Sequence, residues 1–390
     1  MKKIFLFSLG VLVTFSLLFV SCDENEYDPT ICTVTVKSDG NGKAGITNYV
    51  GTFAKIVKGN NVEVVATPND GCIFAGWFFE NVDTPVSLDE RYMFIASENI
   101  TLTARFIKLS NLTLCSTTYG SVSLVGFTDF SIAVMPGTEV TVVATPDEGC
   151  DFIGWFIGDS EEPVSTDVEY TLTMTVDIYL TAKFVPIPIN GYEWVDLGLP
   201  SGLKWAAYNV GATKPEEYGG YYAWGETEEK ENYDWSTYKW WKGRYDIYIT
   251  VTKYCYDEKD GNVDEKDVLD PEDDVANVKW GDTWRMPTYS EQDELRKKCT
   301  WQWTTQNGVN GYKVTSKKNG NSIFLPAAGY RDGVDVYDAG TCGNFWSSSL
   351  FTPEAAYANF LSFDAERYYY NGYKRSCGYS VRPVCELGEK

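Results

Sequence analysis

The chain has 390 residues, room for two or three domains, and a formal net charge of −22. That charge repels nucleic acid and anionic membrane surfaces. Histidine is absent, which removes the usual general base, the usual zinc ligand and every triad that needs imidazole. Nothing in the composition implies a cofactor or a resident metal.

Lys2 and Lys3 precede an apolar run, Ile4 to Val20, and then Ser21-Cys22 and the acidic "DENEYDPT". A basic start, an apolar stretch and a small residue before the cut form a secretory signal over residues 1–21. The run is short for a bilayer-spanning helix. Ser21-Cys22 resembles a bacterial lipobox, departing from it at Phe19. The resemblance implies lipidation of Cys22, an acidic tether over 22–30, and attachment to the outer membrane. The acidic residues after the cysteine resemble the export signal of Bacteroides-type surface lipoproteins. Of ten cysteines, lipidation of Cys22 would leave nine, so at least one thiol stays unpaired in an oxidising compartment.

Residues 62–106 align without a gap to residues 140–184 at an offset of 78, with 22 identities in 45 positions. This is an internal repeat, and the modules are placed at 31–108 and 109–186. Each copy has a strand-like run, Val62–Thr67 or Val140–Thr145. A Pro-x-x-Gly turn follows, then Phe-x-Gly-Trp, and an alternating strand, "ITLTARF" or "IYLTAKF", closes the copy. Trp77 and Trp155 read as core. Cys72 and Cys150 are equivalent positions a module apart, so they are not expected to bond to each other. The "VxVVATPxxGCxFxGWF" pattern resembles the divergent internalin-B-type repeats of bacterial surface proteins. That implies small β-rich modules with no chemistry of their own, acting as a stalk or adhesion surface.

"VPIPIN" (185–190) reads as a stiff extended linker. Beyond it the composition changes: eleven of the thirteen tryptophans lie between Trp194 and Trp346. In order come "WVDLGLPSGLKWA", "NVGATKPEEYGGYYAWGE", "WGDTWRMPTYSEQDEL", "TWQWTTQNGVNGYKVT", "SIFLPAAGYRDG", "FWSSS" and "GYSVRPV". Together they resemble the Fibrobacter succinogenes major paralogous domain, which implies a C-type-lectin-like α+β domain over 187–390. "TYSEQDELRKKC" reads as a helix capped by Thr288 or Ser290, with Glu291 in its first turn and Lys297 and Lys298 at its end. Trp205, Trp224, Trp284, Trp301 and Trp346 read as core. Trp240-Trp241 places neighbouring rings on opposite faces of a strand, so one could form a sugar-stacking platform. The acidic run 256–274 reads as a solvated loop, with calcium binding as the alternative.

The resemblance extends to the sulfatase-modifying domains, whose chemistry uses cysteine pairs and a metal. Cys255, Cys299, Cys342, Cys377 and Cys385 show no spacing that commits two of them to one metal; a Cys255–Cys299 disulfide is a plain alternative. Without histidine a hydrolase would need paired carboxylates, and no spacing singles out a pair. The chain therefore reads as a non-enzyme. The last stretch, "FWSSSLFTPEAAYANFLSFDAERYYYNGYKRSCGYSVRPV", resembles the variable region of lectin-fold proteins diversified by retroelements. That implies framework at Phe360 and Phe363. It implies ligand-facing side chains at Tyr357, Asn359, Asp364, Glu366, Tyr368, Tyr369, Tyr370, Asn371, Tyr373, Lys374 and Ser376, displayed on one exposed face. Tyrosine suits binding, offering large contact area and a hydroxyl at small entropic loss. The expected protein is multidomain: two β-rich modules and an α+β lectin-like head, lipid-anchored to the cell surface, with an unidentified protein or glycan ligand. A purely structural envelope lipoprotein and an enzyme are the other two classes.

Overall fold

The computed structural model describes residues 30–242 and 250–387. The signal segment and Cys22 lie outside the described residues. The chain folds as two compact units. One is built on the first repeat. The other unites most of the second repeat with the C-terminal region.

The first repeat contains β1 (Ile31–Ser38), β2 (Gly42–Ile46), β3 (Phe53–Val57), β4 (Asn61–Pro68), β5 (Cys72–Phe79), β6 (Arg91–Ile95) and β7 (Ile100–Lys108). They form two sheets, β3-β1-β7-β5 and β2-β4-β6, with β1 parallel to β7. Val34, Val36, Val62, Val64, Ala66, Leu102 and Ala104 alternate with exposed or half-exposed neighbours and fill the space between. Trp77 is fully buried among them. The Phe-x-Gly-Trp motif has a steric origin. The β5–β7 register shifts between Phe74 and Gly76. Gly76 has φ 141°, and a Cβ there would lie 2.7 Å from the Cβ of Pro85. A glycine is needed where the bulge turns Trp77 inward.

The second repeat has the same topology: β8 (Ser110–Ser116), β9 (Gly120–Leu124), β10 (Ser131–Val134), β11 (Glu139–Pro146), β12 (Cys150–Ile157), β13 (Glu169–Thr173) and β14 (Ile178–Pro186). Trp155 is fully buried, and Gly154 faces Pro163 as Gly76 faces Pro85.

The C-terminal region contains β15 (Trp194–Asp196), β16 (Lys204–Ala206), α1 (Val275–Trp280), β17 (Trp284–Arg285), α2 (Tyr289–Lys298), β18 (Cys299–Gln306), β19 (Val309–Ser316), β20 (Ser322–Pro326), β21 (Tyr330–Asp332), β22 (Asp335–Tyr337), β23 (Cys342–Leu350), β24 (Tyr357–Asp364), β25 (Tyr368–Lys374) and β26 (Val384–Cys385). The helix α2 starts as the sequence implies. Thr288 accepts from the Glu291 backbone, and the Glu291 carboxylate accepts from the Thr288 N–H, a full capping box. The region's second strand, β16, lies between its first and its last, β15 and β26, so its two ends are tied into one sheet.

"VPIPIN" does not act as a free spacer. Val185 and Pro186 complete β14. The Ile187 N–H donates to Gly149, and Trp194 Nε1 donates to the Ile187 carbonyl at 2.8 Å. Tyr119 meets Trp194 edge-on at 5.9 Å, and Cys150 joins the same buried cluster. The second repeat thus shares a core with the C-terminal region.

The acidic run also departs from the expected solvated loop. Its last residues turn inward: Asp273 is 1% exposed and Asp274 4%. Lys253 Nζ sits 2.6 Å from both Asp270 and Asp273, in the place a bound cation would take. Tyr254 donates to Asp273 at 2.7 Å and accepts from the Asp270 N–H. Bonds from Lys253 and Lys266 hold the Asp270 carboxyl below its usual range. Burial alone would raise Asp273, but bonds from Lys253, Lys239 and Tyr254 outweigh it and lower it too. A depressed carboxyl contributes stability above its unfolded pKa, near 3.8, and that contribution is lost as pH falls through the folded value. Asp273→Asn is therefore expected to lower stability by about 2 kcal/mol at pH 7. The difference from wild type should shrink below about pH 4. Urea titrations at the two pH values read both effects; a difference independent of pH would remove the carboxylate from the account.

Candidate functional site

The sheet β23-β24-β25 carries most of the expected ligand-facing residues. Its register pairs Phe360 with Asn371, Leu361 with Tyr370, Ser362 with Tyr369 and Phe363 with Tyr368. Side chains alternate along each strand, so the residues divide between two faces. Leu361, Phe363, Tyr368 and Tyr370 face one hydrophobic cluster, with Phe345, Leu295 and Tyr312. Phe360 and Tyr373 face the other, with Trp346 and Tyr379. A sheet covered on both sides reads as a nearly continuous apolar run, and "NFLSF" is that run. Phe360 and Phe363, the expected framework, are 5% and 0% exposed.

The expectation of one exposed display face is corrected accordingly. The sheet is open only at its edge strand, β25. Along that strand Tyr369, Asn371 and Tyr373 share a side, Tyr369 and Asn371 exposed and Tyr373 half-buried. Tyr368 instead stacks on Trp301, ring centroids 4.6 Å apart at 18°. That pairing also corrects Trp301, which is half-exposed beneath the tyrosine rather than internal. The Tyr370 hydroxyl is buried without a hydrogen-bond partner, its ring against Tyr289 and Arg296, and burial raises its pKa. Ser376 is 1% exposed and does not face a ligand. Asn359 donates to the Leu350 carbonyl. Asp364 closes the hairpin turn, accepting from the N–H groups of Glu366 and Arg367, which leaves Glu366 exposed. Lys374 pairs with Asp332 at 3.7 Å.

A second hairpin, β21–β22, adds residues that sequence reasoning missed. Tyr330 and Tyr337 are cross-strand partners with stacked rings 5.5 Å apart. Tyr330 meets the buried Tyr379 at 5.9 Å, Tyr373 meets Tyr379 at 6.3 Å, and Tyr357 meets Tyr373 at 6.4 Å. The result is a row of tyrosines over a buried tyrosine floor, rimmed by Asp332 and Lys374. Burial pushes Tyr330 up to about 12 and also raises Tyr373, so both hydroxyls are neutral donors near pH 7. The signal for this hairpin was present in "YRDGVDVY", with tyrosine at both ends of a Gly-containing turn.

Three of the arginines and lysines near this edge hold the frame instead. Arg375 is fully buried, donating to the carbonyls of Ala355 and Lys253 and to the Tyr238 hydroxyl, its guanidinium 4.7 Å from the Trp224 ring. Arg382 is 1% exposed and donates to Asn209 and to the Phe324 carbonyl; burial lowers its pKa to about 9. Arg331 donates to three backbone carbonyls.

The other candidates are less open. Trp240 donates to the Gly225 carbonyl and lies 4.2 Å from Lys239 Nζ and 5.1 Å from Lys253 Nζ. Its ring is occupied by ammonium groups, and Trp241 is half-buried, so the expected stacking platform is not free. Cys255 and Cys299 belong to different clusters and both are free thiols, which removes the disulfide between them. Burial pushes Cys299 to about 11 and Cys377 and Cys385 to about 12, far from the thiolate that a metal or a nucleophilic step requires.

With the geometry in place, comparison with protein families accounts for residues 32–188. Residues 32–109 and 110–188 are two divergent InlB B-repeat domains. No curated protein matches the chain. The boundaries agree with the 78-residue period, and the repeats suggest a surface or adhesion-type protein. The tyrosine row lies outside both repeats.

Proposed function

We propose that this is a lipid-anchored cell-surface binding protein whose C-terminal region holds a protein or glycan ligand at the open edge of its tyrosine-bearing sheet. The InlB B-repeats carry that region outward from the outer membrane. The observation that carries the reading is the edge strand: Tyr369 and Asn371 stand exposed beside Tyr373 and the stacked Tyr330–Tyr337 pair. Large aromatic surface, neutral hydroxyls and a buried arginine frame make a preformed contact surface. The same surface needs no catalytic group. If this region varies as its resemblance to retroelement-diversified lectin-fold proteins implies, the exposed Tyr369 and Asn371 can change with less disturbance than the packed Tyr368 and Tyr370.

A chain beginning at Asp23, which keeps every described residue, should bind discrete members of a glycan or protein array. Binding that survives Tyr369→Ala with Asn371→Ala would place the ligand elsewhere. The anchor is tested separately. Cys22→Ser should block lipid attachment, leaving radiolabelled palmitate out of the protein. Label retained by the variant would assign the lipid to another residue.

A further inference from the structure

The two repeats share a fold but not a surface. Residues 31–108 carry seven Lys or Arg and eight Asp or Glu, a net of −1; residues 109–186 carry Lys183 alone against eleven, a net of −10. Two of the first repeat's additional cations lie where the chain enters it. There Ile31 lies opposite Val57, the Lys58 N–H donates to Thr30, and the Gly59 N–H donates to Ala96 beside Ile95. Ile31, Val57 and Ile95 are 36%, 53% and 62% exposed. Lys55 and Lys58 stand exposed among them. The offset of 78 places Ala133, Pro136 and Thr173 where the first repeat has Lys55, Lys58 and Ile95.

The corresponding end of the second repeat is also partly apolar, with Met135 51% and Val176 63% exposed. Its Pro136 and Val176 line a cleft with Lys108 and Leu109, the residues that join it to the preceding module. At the corresponding end of the first repeat, residues 23–30, at most about 30 Å long when extended, lead back to Cys22.

We propose that this leading end of the first repeat rests on the lipid surface in which the chain is anchored, its isoleucines and valine in the interfacial layer and Lys55 and Lys58 on headgroup phosphates. The proposal rests on the reading of Cys22 as the anchor. Apolar side chains flanked by lysines are the chemistry of interfacial contact, and a lysine near a headgroup surface adds to it. Most of the negative charge belongs to the second repeat and the C-terminal region; the acidic tether adds Asp23, Glu24, Glu26 and Asp28 beside the contact, and the apolar side chains and the two lysines act against that repulsion. The contact would fix the tilt of the first repeat rather than leave it free on its tether.

The experiment is amine acylation of the lipidated full chain in phosphatidylethanolamine–phosphatidylglycerol vesicles, read by mass spectrometry at single lysines. Lys43 is the internal control. It pairs with Thr67 at the far end of the same module. Relative to Lys43, Lys55 and Lys58 should label about threefold more slowly, or slower still, than in the unanchored chain beginning at Asp23. Val57→Ser with Ile95→Ser, both at exposed positions, should restore labelling. An unchanged Lys58 to Lys43 ratio in protein that floats with the vesicles overturns the contact and leaves the anchor standing. Protein that does not float shows that the anchor reading itself has failed, and the proposal falls with it.

Discussion

Arg375→Met should destabilise the protein by about 3–5 kcal/mol, a large share of a typical domain's total. Among the described residues no carboxylate pairs with Arg375. It is held by backbone carbonyls of Lys253, Tyr254 and Ala355 and by the Tyr238 hydroxyl. These groups come from three distant parts of the chain; Tyr238, Tyr254 and Ala355 are buried with it and Lys253 is half-buried. Methionine fills much of the same volume but leaves those acceptors without donors, each an unmade hydrogen bond in a dry interior. Lysine cannot substitute, because one ammonium does not reproduce the planar fork. The comparison is Arg367→Ala in the exposed hairpin turn, where a change within about 0.5 kcal/mol is expected. Urea denaturation followed by tryptophan fluorescence separates the two, since Trp224 lies against the guanidinium. A midpoint for Arg375→Met equal to that of wild type would mean that the cage contributes nothing.

Neighbouring tyrosines on one strand should give opposite results. Tyr369→Ala combined with Asn371→Ala should weaken ligand binding by about thirtyfold or more, the scale of a hot spot, with the denaturation midpoint unmoved. Tyr368→Ala should do the reverse. It removes the ring stacked on Trp301 and in contact with Tyr312, at a loss of about 2–4 kcal/mol. Tyr370→Phe tests the same division more finely. Its buried hydroxyl has no partner, so removing it should be neutral or stabilising. If Tyr368→Ala abolishes binding in protein that remains fully folded, the binding surface lies on the Trp301 side of the sheet and the edge assignment is wrong.

Local signals in this sequence are strong where the interaction is local. The helix start at Thr288 needs only the Glu291 side chain three residues on, and it was legible. The repeat was legible because two copies of one fold leave the same glycine, tryptophan and proline in the same places. Gly76 and Gly154 each answer to a proline nine residues later, a contact within one module. The tyrosine-rich end was legible as a composition but not as a surface. Tyr368, Tyr369 and Tyr370 are chemically alike and adjacent, and nothing in their order says which side of the sheet is covered. That depends on Trp301 and Leu295 on one side and on Trp346 and Tyr379 on the other. Arg375 shows the same limit. In the sequence it sits in a polar run with nothing to mark it as buried, while its partners lie 20 to 137 residues away. Tyr330 and Tyr337 join the row only because their hairpin packs beside β25. The Lys253 ammonium between Asp270 and Asp273 turns part of an acidic loop into buried structure. Composition and periodicity determined the modules and the helix. Which side chains meet solvent was decided by long-range packing, because burial is a property of what lies across the sheet and not of the residue itself.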